Sequence, residues 1–246
     1  GRGFFPDRSF SKRMTDGSLA GKSAALQEWE RMIPMSNPPA STTEAADAAA
    51  PRSRRGRPGY DRAQVLEIAV RLFNEQGYDA TSVSALAAEL GLSKAALYHH
   101  FASKEQILEI ALDDALGGLE AVLEEALSGE QTTAARLVAV IEGAVRVLTS
   151  RLPQVTLLLR VHGNSEIERA ALERRRVFDQ RVAHLVAQAQ REGELRSDIR
   201  PSVTTRLMFG MINSIIEWYR PAHTSLTPDE LVDDVTRVIF DGLRAH

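Results

Sequence analysis

Cysteine is absent from this chain. That excludes a disulfide framework, a thiolate metal site and a cysteine nucleophile, and it fits a reducing cytoplasm. Long apolar runs are absent too. No stretch suffices to span a bilayer, so no membrane partner is expected. The start lacks the basic-then-apolar layout of a secretory signal. No segment shows a convincing strand alternation. Between residues 105 and 200 there is no catalytic signature: no H-E-x-x-H, no G-x-S-x-G and no Gly-rich loop between strand and helix. No motif calls for a cofactor. No grouping offers the roughly three or four ligands that a metal site needs.

What is present suffices for a large core. The chain has 246 residues, 43% of them hydrophobic, enough for one large domain or two small ones. Its net charge is −3, which alone argues against general nucleic-acid affinity. The distribution argues otherwise. Residues 52–104 hold eight Lys/Arg against five Asp/Glu, a net of +3, whereas residues 105–246 hold sixteen against twenty-two, a net of −6. Residues 1–51 balance at six and six. A basic module therefore precedes an acidic body.

Residues 1–58 read as a disordered tail. The segment "SNPPASTTEAADAAAPRSRRGRPG" is low in large apolar residues and buries too little to offset its ordering entropy. The chain begins with Gly1, and Met35 opens a stretch that reads like a natural start. Residues 1–34 are therefore expected to precede the native start. "GSLAGKS", 17–23, misses a phosphate loop by one residue of spacing and has no strand before it.

From about Asp61 the pattern is helical, and the predicted class is all-α with about nine helices. Val65, Leu66, Ile68, Ala69, Leu72 and Phe73 form a stripe at helical spacing, stopped by Gly77. Val83, Leu86, Ala87 and Leu90 form a short second helix, stopped by Gly91. Ser93 is a good N-cap for a third, and Ser103 with Gln106 makes a capping box for a long fourth. Further helices are expected near 132–150 and 153–162. Ser165 with Glu168 caps another, Pro201 starts the next, and Thr227-Pro228-Asp229-Glu230 opens the last.

The run "LSKAALYHHFASKEQIL", 92–108, crowds Lys94, Tyr98, His99 and His100 into one short helix. A brief apolar helix, a Gly-containing turn and a second short helix make a helix-turn-helix over 83–101. Leu86, Ala87 and Leu97 can form its inner face. Ser93, Lys94, Ala95, Tyr98 and His99 can face a major groove, with small Ala95 permitting close approach. Thr81 and Ser82 before the turn, and Lys104 after it, are candidates for phosphate contacts. The bland alternative is a structural hairpin with ordinary surface histidines.

"GYDATSV", "LAAELGLSKAALYHHF" and "SKEQIL" together resemble the DNA-binding domain of the TetR family of bacterial transcriptional repressors. The likeness covers about residues 61–110. It implies a helix-turn-helix domain over 59–105, an effector-binding and dimerisation domain over 106–246, and a homodimer on a palindromic double-stranded operator. The last two helices, about 201–219 and 228–244, would form the interface. Leu207, Met211, Ile215, Trp218, Leu231, Val235, Val238 and Ile239 supply apolar material there for both core and interface.

The resemblance also implies a small-molecule effector. "EWYRPAHTSLT", 217–227, resembles a stretch ending the penultimate helix in a subgroup whose members include responders to acyl-CoA thioesters. Arg160, His162, Asn213, Trp218 and Arg220 are the candidate effector contacts. Each has a plainer reading as packing, capping or solvated surface. Two other classes stay open. One is an α-helical enzyme using a cavity in the body, which turnover would reveal. The other is an architectural protein coating A/T-rich DNA without operator preference.

"RSRRGRPG", 52–59, resembles the core of an AT-hook. Gly56 lets the backbone approach the groove floor, Pro58 holds the chain extended, and Arg55 and Arg57 can reach into a narrow minor groove. The plain alternative is a solvated basic linker. Replacing Arg55 and Arg57 with Ala is expected to weaken DNA binding and lower the salt slope by about two. Anisotropy titrations across a salt series would read this, and an unchanged slope would return the segment to a linker.

Overall fold

A computed structural model describes residues 60–243, all within one compact unit. The tail, with Arg55 and Arg57, lies outside the described residues. Among the described residues the architecture is all-α, as the periodicity predicts. In chain order the helices are α1 (Arg62–Gln76), α2 (Val83–Leu90), α3 (Lys94–His100), α4 (Lys104–Ser128), α5 (Thr133–Ser150), α6 (Leu152–Arg160), α7 (Glu166–Arg191), α8 (Pro201–Trp218) and α9 (Pro228–Leu243).

The helix starts follow the polar punctuation. Asp61 Oδ1 accepts from Gln64 N at 2.8 Å while Gln64 Oε1 accepts from Asp61 N at 3.0 Å, closing a capping box on α1. Ser82, Ser93 and Ser103 each accept one amide of the helix they precede. Gln106 differs slightly from expectation: its side chain accepts from Ala102 N at 2.8 Å. Thr227 and Glu230 cap α9 reciprocally. Gly91 ends α2 at φ +62°, where a side chain would be strained. Its N–H reaches Ala88 O, and Leu92 N–H reaches Ala87 O, which is the Schellman pattern. The chain is thereby turned sharply into Ser93.

The core runs along α4. Ile107, Leu108, Ala111, Leu112, Ala115, Leu116, Leu123 and Ala126 are all buried, and α4 packs on α1, α5, α6 and α7. Small residues set the spacing of its neighbours. A Cβ on Gly143 of α5 would stand 2.3 Å from a methyl of Val122, and one on Gly118 would strike the Arg151 guanidinium. Farther along, α7 packs on α8, and α9 lies on α5.

The expected Ser165–Glu168 box takes another form. Ser165 Oγ caps Glu168 N at 3.2 Å. The Glu168 carboxylate, almost fully buried, reaches back beyond Ser165 to the amides of His162, Gly163 and Asn164, at 3.2, 2.8 and 2.8 Å. Gly163, at φ +88°, turns those amides toward one point. Glu168→Ala leaves three backbone donors without their acceptor. It is expected to destabilise the protein by about 2 kcal/mol. Urea unfolding at fixed protein concentration would measure this, and a change below about 0.5 kcal/mol would deny the cradle its role.

Candidate nucleic-acid interface

Helix α3 presents two unlike faces. Leu97 is its buried side chain, resting with Leu86, Ala87 and Leu90 of α2 in the core. Ser93, Lys94, Ala95, Tyr98 and His99 are exposed on the other side. Half of Tyr98 faces solvent. Ser93 Oγ accepts from Ala96 N at 3.1 Å, fixing where α3 begins. The exposed residues offer an ammonium, a phenol, an imidazole and a small methyl side by side. That set can donate to phosphate oxygens and base edges while allowing close approach.

Two candidate phosphate contacts sit differently from expectation. Thr81 is fully buried. Its hydroxyl donates to Gly77 O at 2.7 Å, so it closes the turn after α1 and has no surface for phosphate. Its neighbour Ser82 is exposed but serves as the α2 cap, accepting from Ala85 N at 3.0 Å. Lys104 points inward. Its Nζ donates to Tyr78 O at 2.9 Å and Thr81 O at 3.1 Å, and lies 4.1 Å from the Tyr78 ring centroid. Burial pushes the Tyr78 phenol well above its usual range, and nearby Glu105 adds to this. Periodicity gave no warning of this arrangement. The available signal was a lysine at the first position of a helix, where the dipole disfavours a cation.

The five candidate effector contacts line neither of the two grooves in the body. Arg160 is exposed and donates to Asn74 O at 2.6 Å. His162 is exposed at the α6–α7 corner, where its amide meets Glu168. Asn213 is half-buried on α8. Trp218 is exposed at the end of α8. Arg220 folds back onto that end, donating to the carbonyls of Ile216, Glu217 and Tyr219. The W-Y-R-P stretch thus finishes a helix, with a cation satisfying its last carbonyls.

Concave space lies elsewhere. A groove of about 640 Å³ runs between α4 and α7 over Ala121, Leu123, Ala170, Val177 and Phe178. Arg174 spans it to Glu120 at 2.8 Å and also pairs with Asp113, while Arg181 pairs with Glu124. The Glu120 bond raises the Arg174 pKa further above its ordinary value, so that charge is fixed. A second groove, of about 610 Å³, lies between α4 and α5 near Gly118, Gly143 and Arg146.

The proposed interface residues divide. Ile215, Leu231, Val235 and Ile239 are buried within the single chain and belong to its own core. Leu207, Met211, Trp218 and Val238 are exposed, Leu207 by 63% and Val238 by 61%. Gly210 and Gly242 have open space where a side chain would stand. The periodicity could not separate these sets, because α8 and α9 carry apolar residues on more than one face.

No helix among the described residues is long and apolar enough to cross a membrane. Residues 65–111 match the family described as bacterial regulatory proteins, tetR family. Residues 130–243 match a tetracyclin repressor-like C-terminal domain. The HTH-type transcriptional repressor KstR2 of Rhodococcus jostii (strain RHA1) is 28% identical over 192 residues, 74% of this chain and 90% of the relative. Among solved structures, a TetR-family member from Streptomyces coelicolor A3 is 47% identical. It covers 73% of this chain and 90% of its own, with a TM-score of 0.67. A structure of AibR in complex with isovaleryl coenzyme A and operator DNA is 26% identical, covering 73% and 97%, with a TM-score of 0.62. These relatives are regulators, which sets the enzyme reading aside. The chain belongs to the TetR family of DNA-binding transcriptional regulators.

Proposed function

We propose that the protein is a homodimeric repressor that reads a palindromic operator through α3 and leaves it when a small apolar effector binds the body. The observation that carries this reading is the outward face of α3. Lys94, Tyr98 and His99 are exposed together on a helix anchored by Leu97 and, at its C-cap, by Phe101. Ser93 and Ala95 border them at the end that would enter the groove. Lys94 contributes charge, Tyr98 and His99 contribute hydrogen bonds, and Ala95 leaves room for a base edge.

Dimerisation rests on the uncovered faces of α8 and α9. Leu207, Met211 and Trp218 stand at spacings of four and seven residues on one side of α8, with Val238 on α9. Gly210 and Gly242 would let partner helices approach closely. Two copies would place two α3 helices for two half-sites, which is why the operator is proposed to be palindromic.

The effector reading draws on AibR, whose complex holds isovaleryl coenzyme A. The groove between α4 and α7 offers apolar walls for an acyl chain and arginines at its rim. A ligand wedged there must move α4 relative to α7, and α4 begins beside the reading module. Only an effector that favours the displaced arrangement would release DNA.

Four measurements test this. Anisotropy of the protein on its own upstream intergenic DNA, with random duplex as competitor, should show competitor-resistant binding. Binding of any A/T-rich duplex equally well would favour the architectural reading. Tyr98→Ala should weaken operator binding by about tenfold, roughly the value of one good base or phosphate contact, with unchanged helicity. Unaltered affinity would remove Tyr98 from the interface. Leu207→Glu with Val238→Glu should yield monomers in analytical ultracentrifugation, whereas a persisting dimer would place the interface elsewhere. Acyl-CoA thioesters added to the preformed complex should release DNA, and failure of all chain lengths would discard that effector class.

A further inference from the structure

Lys104 has an unfavourable address. It is the first residue of α4, where the helix dipole presents positive potential. An exposed ammonium there would be free to turn to solvent or to a phosphate. Instead it lies against the turn between α1 and α2. An ammonium carries three N–H groups. Two of them bond Tyr78 O and Thr81 O, at 2.9 and 3.1 Å, and the Tyr78 ring covers the cation at 4.1 Å. The ring is itself held edge-on to Phe73 of α1, 5.1 Å between centroids at 81°. Thr81 is locked in turn by its hydroxyl and amide on Gly77 O. One side chain of α4 therefore ties together the end of α1, the turn over 77–81 and the start of α2.

The reading helix needs such a tie. α3 has seven residues and one buried side chain, Leu97. Phe101 at its C-cap is buried beside it, and with so short a helix the tilt is set by the flanking elements, α2 before it and the start of α4 after it. We infer that Lys104 is a positioning residue for operator reading: it sets the angle of α3 through the turn at 77–81 and does not contact phosphate. This rests on the proposed role of α3.

The inference separates three behaviours. A phosphate contact, when removed, weakens specific and non-specific DNA binding together and lowers the salt slope by about one. A purely structural residue lowers both affinities by the fraction of protein unfolded and leaves the slope alone. A positioning residue weakens operator binding alone, because non-specific binding depends on charge and little on the angle of α3.

The test uses the full chain and Lys104→Met, which keeps an apolar stem of similar length. Anisotropy is measured on operator and on random duplex across a salt series, with helicity checked by circular dichroism. Lys104→Met should lose about tenfold on operator, and hold its affinity for random duplex and its salt slope. Lys104→Arg, which can still meet two carbonyls and the ring, should recover most of the loss. A slope lower by about one, or equal losses on both duplexes, would overturn the inference. Tyr78→Leu removes only the ring and should give a smaller loss of the same pattern, which keeps the test open should Lys104→Met fail to fold. Amide exchange at Thr81 is read in parallel and should quicken at least tenfold in Lys104→Met. It needs no DNA. If the parent protein prefers no duplex, the reading of α3 fails, while unchanged exchange at Thr81 would sink the tie itself.

Discussion

The continuous apolar stripe of α4 is the constraint on which the molecule depends. The helix has 25 residues, a length of roughly 37 Å at the usual rise per residue. Its first turn abuts the turn before α2, and its middle and end pack against α5 and α7. Close-packed helices do not deform smoothly, so a shift at one end of such a rod is felt at the other. The helix-turn-helix and the concave spaces of the body therefore share one mechanical element.

That sharing gives the polar contacts around it their meaning. Asn74 at the end of α1 donates to Pro153 O at 2.8 Å, and Arg160 donates to Asn74 O. Asn164 donates to Asp79 at 3.1 Å, in the same turn that Lys104 holds. These bonds join α1 and its following turn to α6 and to the corner after it. They are few and exposed. The ion pairs from Arg174 and Arg181 lie instead across the seam between α4 and α7. Being partly solvated, they contribute modestly to stability and more to alignment.

Much of this was legible in the chain. Helix starts follow from Ser93, Ser103 and Thr227, because capping chemistry is local and needs no tertiary knowledge. The helix-turn-helix follows from Gly91 and the spacing of Leu86, Ala87 and Leu97. The outward set on α3 follows from the same period. What periodicity could not supply is the destination of long polar side chains. Lys104 and Arg220 look like free surface cations in one dimension, yet both reach backbone carbonyls that only the fold brings near. Thr81 looks like a helix-start polar residue, but its hydroxyl serves the preceding turn. Ile215 and Leu207 are alike in sequence, and only the packing of α8 on α7, α5 and α6 separates core from exposed face.

The cradle formed by the amides of His162, Gly163 and Asn164 has one more consequence. Converging backbone N–H groups make a natural seat for an anion. This one lies at a corner linked through Asn164 to Asp79, in the turn before α2. Left vacant, it would compete for phosphate oxygens and draw the body toward the polyanion in a sequence-blind way. Glu168 occupies it with the chain's own carboxylate. The fold thereby keeps a potential anion seat filled from within.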